Sequence, residues 1–398
     1  IEVKIKKEKR NTKNLLFIIF NCKVYDFLRN LHIIKLNMKK TILYKEHVKR
    51  GAKIIPFSDF LMPVQYEGIN VEHLHVRNNV GLFDVSHMGE FFLKGENATN
   101  LLQFICTNDI TKIVDGKAQY NCMTDENGGI IDDLIVYKFN EKEYMLVVNA
   151  GNIEKDWNWI KLQNKKYNND LENKSDKMSL LALQGPKSYD LLEKIVEFDV
   201  RSLSNYSFLK TELNKHKNVI ISRTGYTGSG GFEIYCDNHD AISIWEILFD
   251  IGNEFDIKPI GLAARDTLRL EMGYCLYGNE INSNTNPIEA GLKWITKTDK
   301  NFIGKNPILN SINNGTEKKL IGFQLDERGI PRKNYPIYDE KKNKIGVVTS
   351  GTMSPSIKKG IGLGYVNTNN STLGTSLNVE IRNKMVKASV VKIPFVKI

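Results

Sequence analysis

With 398 residues, 41% of them hydrophobic and 10% aromatic, the chain exceeds a single small core and needs no metal or disulfide staple for stability. Its formal net charge is +10, but residues 1–40 hold eleven Lys/Arg against three Asp/Glu, so the remainder carries only about +2 and is a weak candidate for binding nucleic acid. Cys22, Cys106, Cys122, Cys236 and Cys275 are odd in number and form no CxxC pair, which disfavours a secreted disulfide framework and favours a reducing compartment.

The basic, acid-poor segment 1–40 reads either as a mitochondrial transit segment, which implies a matrix protein, or as a translated upstream region, since the first methionine is Met38. Its apolar run LLFIIF (15–20) is far short of the ~20 residues that span a membrane, and no membrane association is expected. Regular patterning begins near Thr41. GINVEHLHVRNNV (68–80) has the spacing of a helix, with Val71, Leu74 and His75 near its apolar stripe. His73 and His75 form an HxH that no second ligand pair follows. They read as helix-surface histidines, and no metal site is expected. GLFDVSHMGEFFLKG (81–95) ends in a strand, and NATNLLQFICTNDI reads as a helix with Asn97 as its N-cap.

NGGIIDDLIVYKF (127–139) and YMLVVNA (144–150), joined by NEKE, read as a β-hairpin. Period two puts Ile131, Asp133, Ile135, Tyr137 and Phe139 on one face and Ile130, Asp132, Leu134, Val136 and Lys138 on the other. Asp132, next to the turn, reads as a turn or capping carboxylate. Asp133, among apolar and aromatic neighbours, reads either as half of a buried ion pair or as a candidate acid, base or charge stabiliser.

Helical patterns recur in IEKDWNWIKLQ and GPKSYDLLEKIVE, with the polar loop NKKYNNDLENKSDK between them. NVIISRTGYTGSGGFEIYC (218–236) reads as strand, glycine-rich turn and strand. Its glycines lead into a strand rather than a helix, so it is no phosphate-binding loop. Glu233 on that second strand shares a face with Tyr235 and is a second carboxylate in an apolar setting. DAISIWEILFDIGNEF is amphipathic. So is LAARDTLRLEMGY, where Ala264, Leu268 and Met272 form the stripe and Arg265 borders it, placed to brace a carboxylate or grip a ligand acid. Beyond Lys300 short strands alternate with Gly, Pro and Asn turns, as in a small antiparallel barrel or sandwich. The expected division is a leader (1–40), a body of two α+β subdomains (41–305) and a C-terminal barrel (316–398).

Six stretches in order, GLFDVSHMGE, NGGIIDDLIVYKF, LLALQGP, RTGYTGSGGFEI, GLAARDTLRLEMGYCLYGNEI and VTSGTMSPSIKKGIGLGYV, resemble the aminomethyltransferase family, the T protein of the glycine cleavage system. The resemblance runs from about Thr41 to Ile398. It implies an α+β fold: a three-domain cloverleaf with a folate-binding body and a C-terminal antiparallel β-barrel. It also implies tetrahydrofolate as cosubstrate and a lipoylated H protein as the partner that delivers the aminomethyl group. The activity implied is transfer of the one-carbon unit to folate with release of ammonia. By the same resemblance Asp133 faces the reacting nitrogens of the folate. Glu233 suits the pterin N–H donors and Arg265 supports that end. Met88, Tyr120, Ile135, Tyr137, Val147, Asn149 and Tyr226 line the cavity, with Tyr206 and Trp294 as further positions. The chain ends at PFVKI where relatives continue a few residues, so any ligand contact from such a tail is expected to be absent or replaced.

Two other folate-linked classes fit less well. A demethylase-like relative implies a fused flavin part, and no GxGxxG fingerprint lies near the start. A non-enzymatic folate protein of iron–sulfur maturation implies a KGCYxGQ-type motif. EMGYCLYGNEI has Cys275 but neither the lysine nor the glutamine, so Cys275 reads as a buried core thiol. One structural requirement follows from the resemblance. If Asn149 and Asp133 line one cavity, the hairpin cannot be an even loop with regular pairing, which would set Asn149 opposite Leu134. An odd loop, a bulge or shifted strands are required.

Overall fold

The computed structural model describes residues 38–398; the basic segment, its LLFIIF run and Cys22 lie outside the described residues. Four sheets are formed. Lys39–Lys40, Phe60–Gln65 and Lys53–Phe57 make a small three-stranded sheet at the edge of the body. A six-stranded sheet runs in the order Phe208–Leu213, His216–Ser222, Gly231–Asp237, Met178–Gln184, Val80–Asp84, Ile257–Pro259. A five-stranded sheet runs Lys117–Thr124, Ile130–Asn140, Glu143–Val148, Gly89–Lys94, Asp170–Asn173. The fourth is a closed barrel of Lys318–Leu325, Gly360–Asn367, Lys344–Met353, Pro336–Tyr338, Ser376–Ile381 and Lys384–Val391. The expected α+β body and C-terminal antiparallel barrel are both present. The polar loop expected between the two middle helices contains the edge strand Asp170–Asn173.

Three apolar layers explain the body. One face of the six-stranded sheet packs Leu181, Leu183, Phe232 and Ile234 under the helices Ser188–Glu193 and Asn238–Gly252. One face of the five-stranded sheet packs Leu134, Val136 and Leu146 under the helices Ala98–Ile105 and Ile153–Asn164. Between the two sheets lies the third layer, with Phe83, Ala182 and Tyr235 from one and Ala118, Tyr137, Met145 and Val147 from the other. The remaining faces of the two sheets therefore look toward each other, and Val76, Ala264 and Leu268 of the helices Ile69–Asn78 and Leu262–Glu271 pack into the same layer. Asn97 holds the N-cap position of the helix Ala98–Ile105, but its side chain makes no capping bond to that helix; its Nδ2 donates to Tyr167 O.

The helix Ile69–Asn78 is turned opposite to the expectation from its apolar residues. Val71 and Leu74 are exposed, while Glu72, His73, His75 and Val76 are buried. The histidines are thus core groups, not surface ones. His73 Nδ1 lies 2.8 Å from Thr267 Oγ1 and its Nε2 3.0 Å from Glu271 Oε2, and His75 Nε2 lies 2.7 Å from Asp256 O. Glu72 Oε1 accepts from the N–H groups of Tyr66, Glu67 and Gly68, and Oε2 from that of Gly261. Specific polar partners, together with the apolar contact of Val76, fix this helix against the helix Leu262–Glu271. Among the described residues no group of three or more His, Cys, Asp or Glu is arranged to hold a metal ion, and no helix is long and apolar enough to cross a membrane.

Candidate active site

The strand bearing the aspartate pair begins after a tight turn. Gly128 has φ +82°, and a side chain on Gly129 would meet Ser283 O at 2.0 Å, so both glycines are required. The strand then pairs with Glu143–Val148 in the register Ile135↔Val147 and Lys138↔Tyr144, but Asn140↔Glu143 at the turn. The loop is even, with Glu141 and Lys142 at its tip, and Phe139 is the extra residue of a bulge. This is the irregularity that a shared cavity demanded. Continuing the register sets Asn149 across from Asp133.

The same register orders the face of the five-stranded sheet in rows. Tyr120 pairs with Ile135, Ile135 with Val147, and Val147 with Glu90. One step along, Cys122 pairs with Asp133, followed by Asn149 and Met88 just beyond the ends of their strands. One step the other way lie Ala118, Tyr137, Met145 and Phe92. Seven residues expected at the site, Met88, Tyr120, Asp133, Ile135, Tyr137, Val147 and Asn149, therefore share one face. Tyr137 and Val147 are fully covered and form the floor, while Met88, Tyr120, Asp133, Ile135 and Asn149 remain half-buried.

Asp133 is held from two sides by neutral donors. Tyr120 OH donates to Oδ2 at 2.9 Å and Asn149 Nδ2 to Oδ1 at 2.8 Å. Among the described residues no lysine or arginine pairs with it. Burial, and then the charge of Asp132, push its carboxyl up to about 7. Asp132 is not a turn cap. It is fully buried on the opposite face, where it accepts from Asn149 N at 3.0 Å, Asn149 Nδ2 at 2.9 Å and Asn152 Nδ2 at 2.5 Å. The approach of the helix Ile153–Asn164 closes it off, a tertiary contact that the alternation of the strand does not encode. Trp294, 60% exposed, sets its ring 5.9 Å from that of Tyr120.

The facing sheet supplies the other end. Glu233 is buried beside Ala182 and Ser222, and Thr224 Oγ1 donates to its Oε2 at 2.5 Å. Burial raises its carboxyl, against that hydrogen bond and the nearby charge of Arg265. Arg265 lies with its guanidinium 4.7 Å from the Tyr226 ring and leaves Nη1 buried without a partner. Tyr226 OH donates to Cys275 O, and its ring stacks on Tyr274. Tyr137 OH joins the two sheets, 2.8 Å from Tyr235 OH and 3.2 Å from Thr224 Oγ1. Tyr206, 41% exposed on the rim, has φ +56°, a left-handed backbone rare for an aromatic residue. It is held there because Tyr206 N donates to Arg223 O and Ala118 N donates to Tyr206 O.

Two polar residues in this region lie outside the set the sequence suggested. Glu90 is buried in the row of Tyr120, Ile135 and Val147, and neither of its oxygens has a partner. Burial, then the charge of Glu233, raise it well above the usual carboxylate range. His87 is buried with Nδ1 unpartnered and is pushed down to about 4 by burial and then by Arg265. Both stand in the quoted stretch GLFDVSHMGE. The visible signal for Glu90 was a carboxylate heading the strand EFFL on the face of Phe92.

Two sheets packed face to face, one bearing an aspartate held by neutral donors and the other a buried glutamate with an arginine charge nearby, together with a closed C-terminal barrel, define an α+β body with an appended barrel. Residues 43–300 match the family model for the GCVT N-terminal domain, and residues 318–397 that for the glycine cleavage T-protein C-terminal barrel domain. The aminomethyltransferases of Flavobacterium psychrophilum and Bacteroides fragilis are 55% and 51% identical over 360 and 362 residues, covering 90% of this chain and 100% of each relative. The crystal structure of glycine cleavage system aminomethyltransferase T from Bartonella henselae aligns with a TM-score of 0.85 at 34% identity, covering 90% of this chain and 98% of that one. The chain belongs to the glycine cleavage T-protein family and is an enzyme of the aminomethyltransferase class. The relatives named are bacterial and lend no support to a mitochondrial location.

Proposed function

We propose that the enzyme takes the aminomethyl group from the lipoyl arm of an H protein and passes its carbon to tetrahydrofolate, giving 5,10-methylenetetrahydrofolate, ammonia and dihydrolipoyl-H protein. Two hydrogens leave the folate nitrogens; one ends on ammonia and the other on the lipoyl sulfur, so no oxidant is needed. As ammonia leaves, the carbon acquires cationic iminium character. An anionic Asp133, already oriented by Tyr120 and Asn149, stabilises that charge without reorganising. Its proton affinity near neutrality also suits it to receive a folate N–H proton and return it.

At the far end, the Glu233 carboxylate accepts from the pterin amino and ring N–H donors. Arg265, with a free N–H, meets a ligand oxygen. Met88, Ile135, Tyr120, Tyr226 and Trp294 offer the flat apolar surface a pterin requires, with Tyr206 at the rim. The observation that carries this reading is the half-open Asp133 carboxylate held only by neutral donors. The test is turnover with H protein bearing the aminomethyl group, measuring ammonia and methylenetetrahydrofolate together. Equal amounts of both are expected. Folate binding with neither product overturns the proposal and favours a non-enzymatic folate protein.

A further inference from the structure

The helix Ile153–Asn164 carries an aspartate in its buried stripe. Asp156 lies one turn beyond Asn152 and one turn before Ile160, and it is fully buried. Among the described residues neither of its oxygens has a donor. Asn152, one turn earlier, donates to Asp132 Oδ1 at 2.5 Å, which brings the Asp156 carboxyl to the Asp132 side of the strand, where the two acids bear on each other's charge. Two neighbouring carboxyls, both fully buried, cannot both be ionised without compensating charge, so the pair holds a proton. The surrounding donors decide which partner carries it. Asp132 accepts from three N–H groups and Asp156 from none, so the proton belongs on Asp156.

We propose that Asp156 is a positioning residue: a neutral acid that holds Asp132 as an anion, which fixes the Asn149 amide, which in turn fixes Asp133 against the folate. The proposal rests on the role given to Asp133 above. Asn149 Nδ2 divides its two hydrogens between Asp132 Oδ1 and Asp133 Oδ1, at 2.9 and 2.8 Å. An anionic Asp132 therefore sets the direction of that amide. The charges agree: burial and then Asp132 push Asp156 up to about 11, and burial and then Asp132 push Asp133 up. Other titratable groups face this run. Lys155, on the same helix, donates to Ile131 O and to Tyr277 OH and lies near both Asp132 and Asp156. Tyr120 and Cys122 face Asp133 from the adjoining strand, and Tyr226, Cys275 and Tyr277 from the loops opposite.

The experiment is NMR of the full protein with carboxyl-labelled aspartate, without substrate, so that it reads protonation and not turnover. Asp156 is expected to remain protonated at about pH 8, where ordinary carboxyls are ionised. Asp156→Ala removes the neutral acid, Asp132 takes up a proton, and the Asp133 midpoint falls by about one unit, with the acid limb of kcat/KM following it. Asp156→Asn supplies an N–H at the same place and is expected to restore the midpoint and recover turnover lost in Asp156→Ala. A merely structural Asp156 lowers thermal stability but leaves the Asp133 midpoint in place in both variants, and that result overturns the proposal. So does a midpoint moved equally by both substitutions. If Asp156→Ala does not fold, Asp156→Asn decides alone. Loss of a protonated carboxyl signal at about pH 8 supports the proposal, and its persistence overturns it. Failure of the functional reading looks different: the wild-type titration stands and no methylenetetrahydrofolate forms.

Discussion

Two sets of buried charges lie a few turns apart and are treated in opposite ways. At the junction with the barrel, Glu271 faces His73, Arg77, Ser354 and Ser356, and Arg269 binds Glu280 and Ser350 while Thr349 donates to Glu280. Neither Glu271, Arg269 nor Glu280 has an unpartnered buried oxygen or nitrogen. At the candidate site, Glu90, His87 and Arg265 keep unpartnered atoms, and Asp133 has only neutral donors. A buried polar group without a partner costs about 1–3 kcal/mol, so the saturated cluster stabilises the fold, whereas the unpartnered atoms of Glu90, His87 and Arg265 carry a cost that the proposed ligand would relieve.

The contrast can be broken most forcefully at the junction. Glu271→Leu strands Arg77 and His73 and is expected to cost about 3–5 kcal/mol, read by chemical unfolding. Burial opposes ionisation of Glu271, but hydrogen bonds from His73, Ser354 and Arg77 outweigh it and hold the carboxyl down at about 2. Its folded value lies below its unfolded one, so its contribution is present above about 4.5 and lost as pH falls toward about 2. The acid limb of wild-type stability is expected to flatten in the variant.

Asp133→Asn tests the other half of the contrast. Turnover is expected to fall by ~10²-fold or more while folate binding and thermal stability hold. With the carboxyl at about 7, wild-type kcat/KM should decline below neutrality as the anion is lost, and this limb should vanish in the variant. Unaltered turnover with aminomethyl-loaded H protein removes Asp133 from the mechanism. Glu233→Ala and Arg265→Ala are each expected to weaken tetrahydrofolate binding by ~10-fold, seen by calorimetry, with turnover at saturating folate less affected. If either leaves the affinity unchanged, that residue is not part of the ligand end. The smallest effect sits at the rim: Trp294→Ala should cost about 1 kcal/mol of folate affinity, the scale of one aromatic contact.

The barrel was legible because its strands alternate with Gly, Pro and Asn turns; only Pro336–Tyr338, three residues long, carries too little pattern to be seen. Asp133, Glu233 and Arg265 stood out as charges set in apolar runs. What local pattern could not carry was set by tertiary contact. The helix Ile69–Asn78 buries His73, His75 and Glu72 because partners distant along the chain await them: Thr267 and Glu271 for His73, Asp256 O for His75 and Gly261 N for Glu72. Asp132 is buried because a helix twenty residues downstream brings Asn152 and Asp156 onto it. The spacing that betrays Asp156 was nevertheless present, since it falls in register with Ile153 and Ile160 along IEKDWNWIKLQ.

The single additional residue at Phe139 has a consequence for anyone reshaping this hairpin. Regularising the ribbon so that Phe139 meets Tyr144 would leave composition, hydropathy and turn chemistry untouched. Yet each later partner would slide by one place, Asn149 would arrive beside Leu134, and Asp133 would lose one of its two donors. Which of two adjoining acids an incoming molecule meets is thus a matter of counting, not of chemistry.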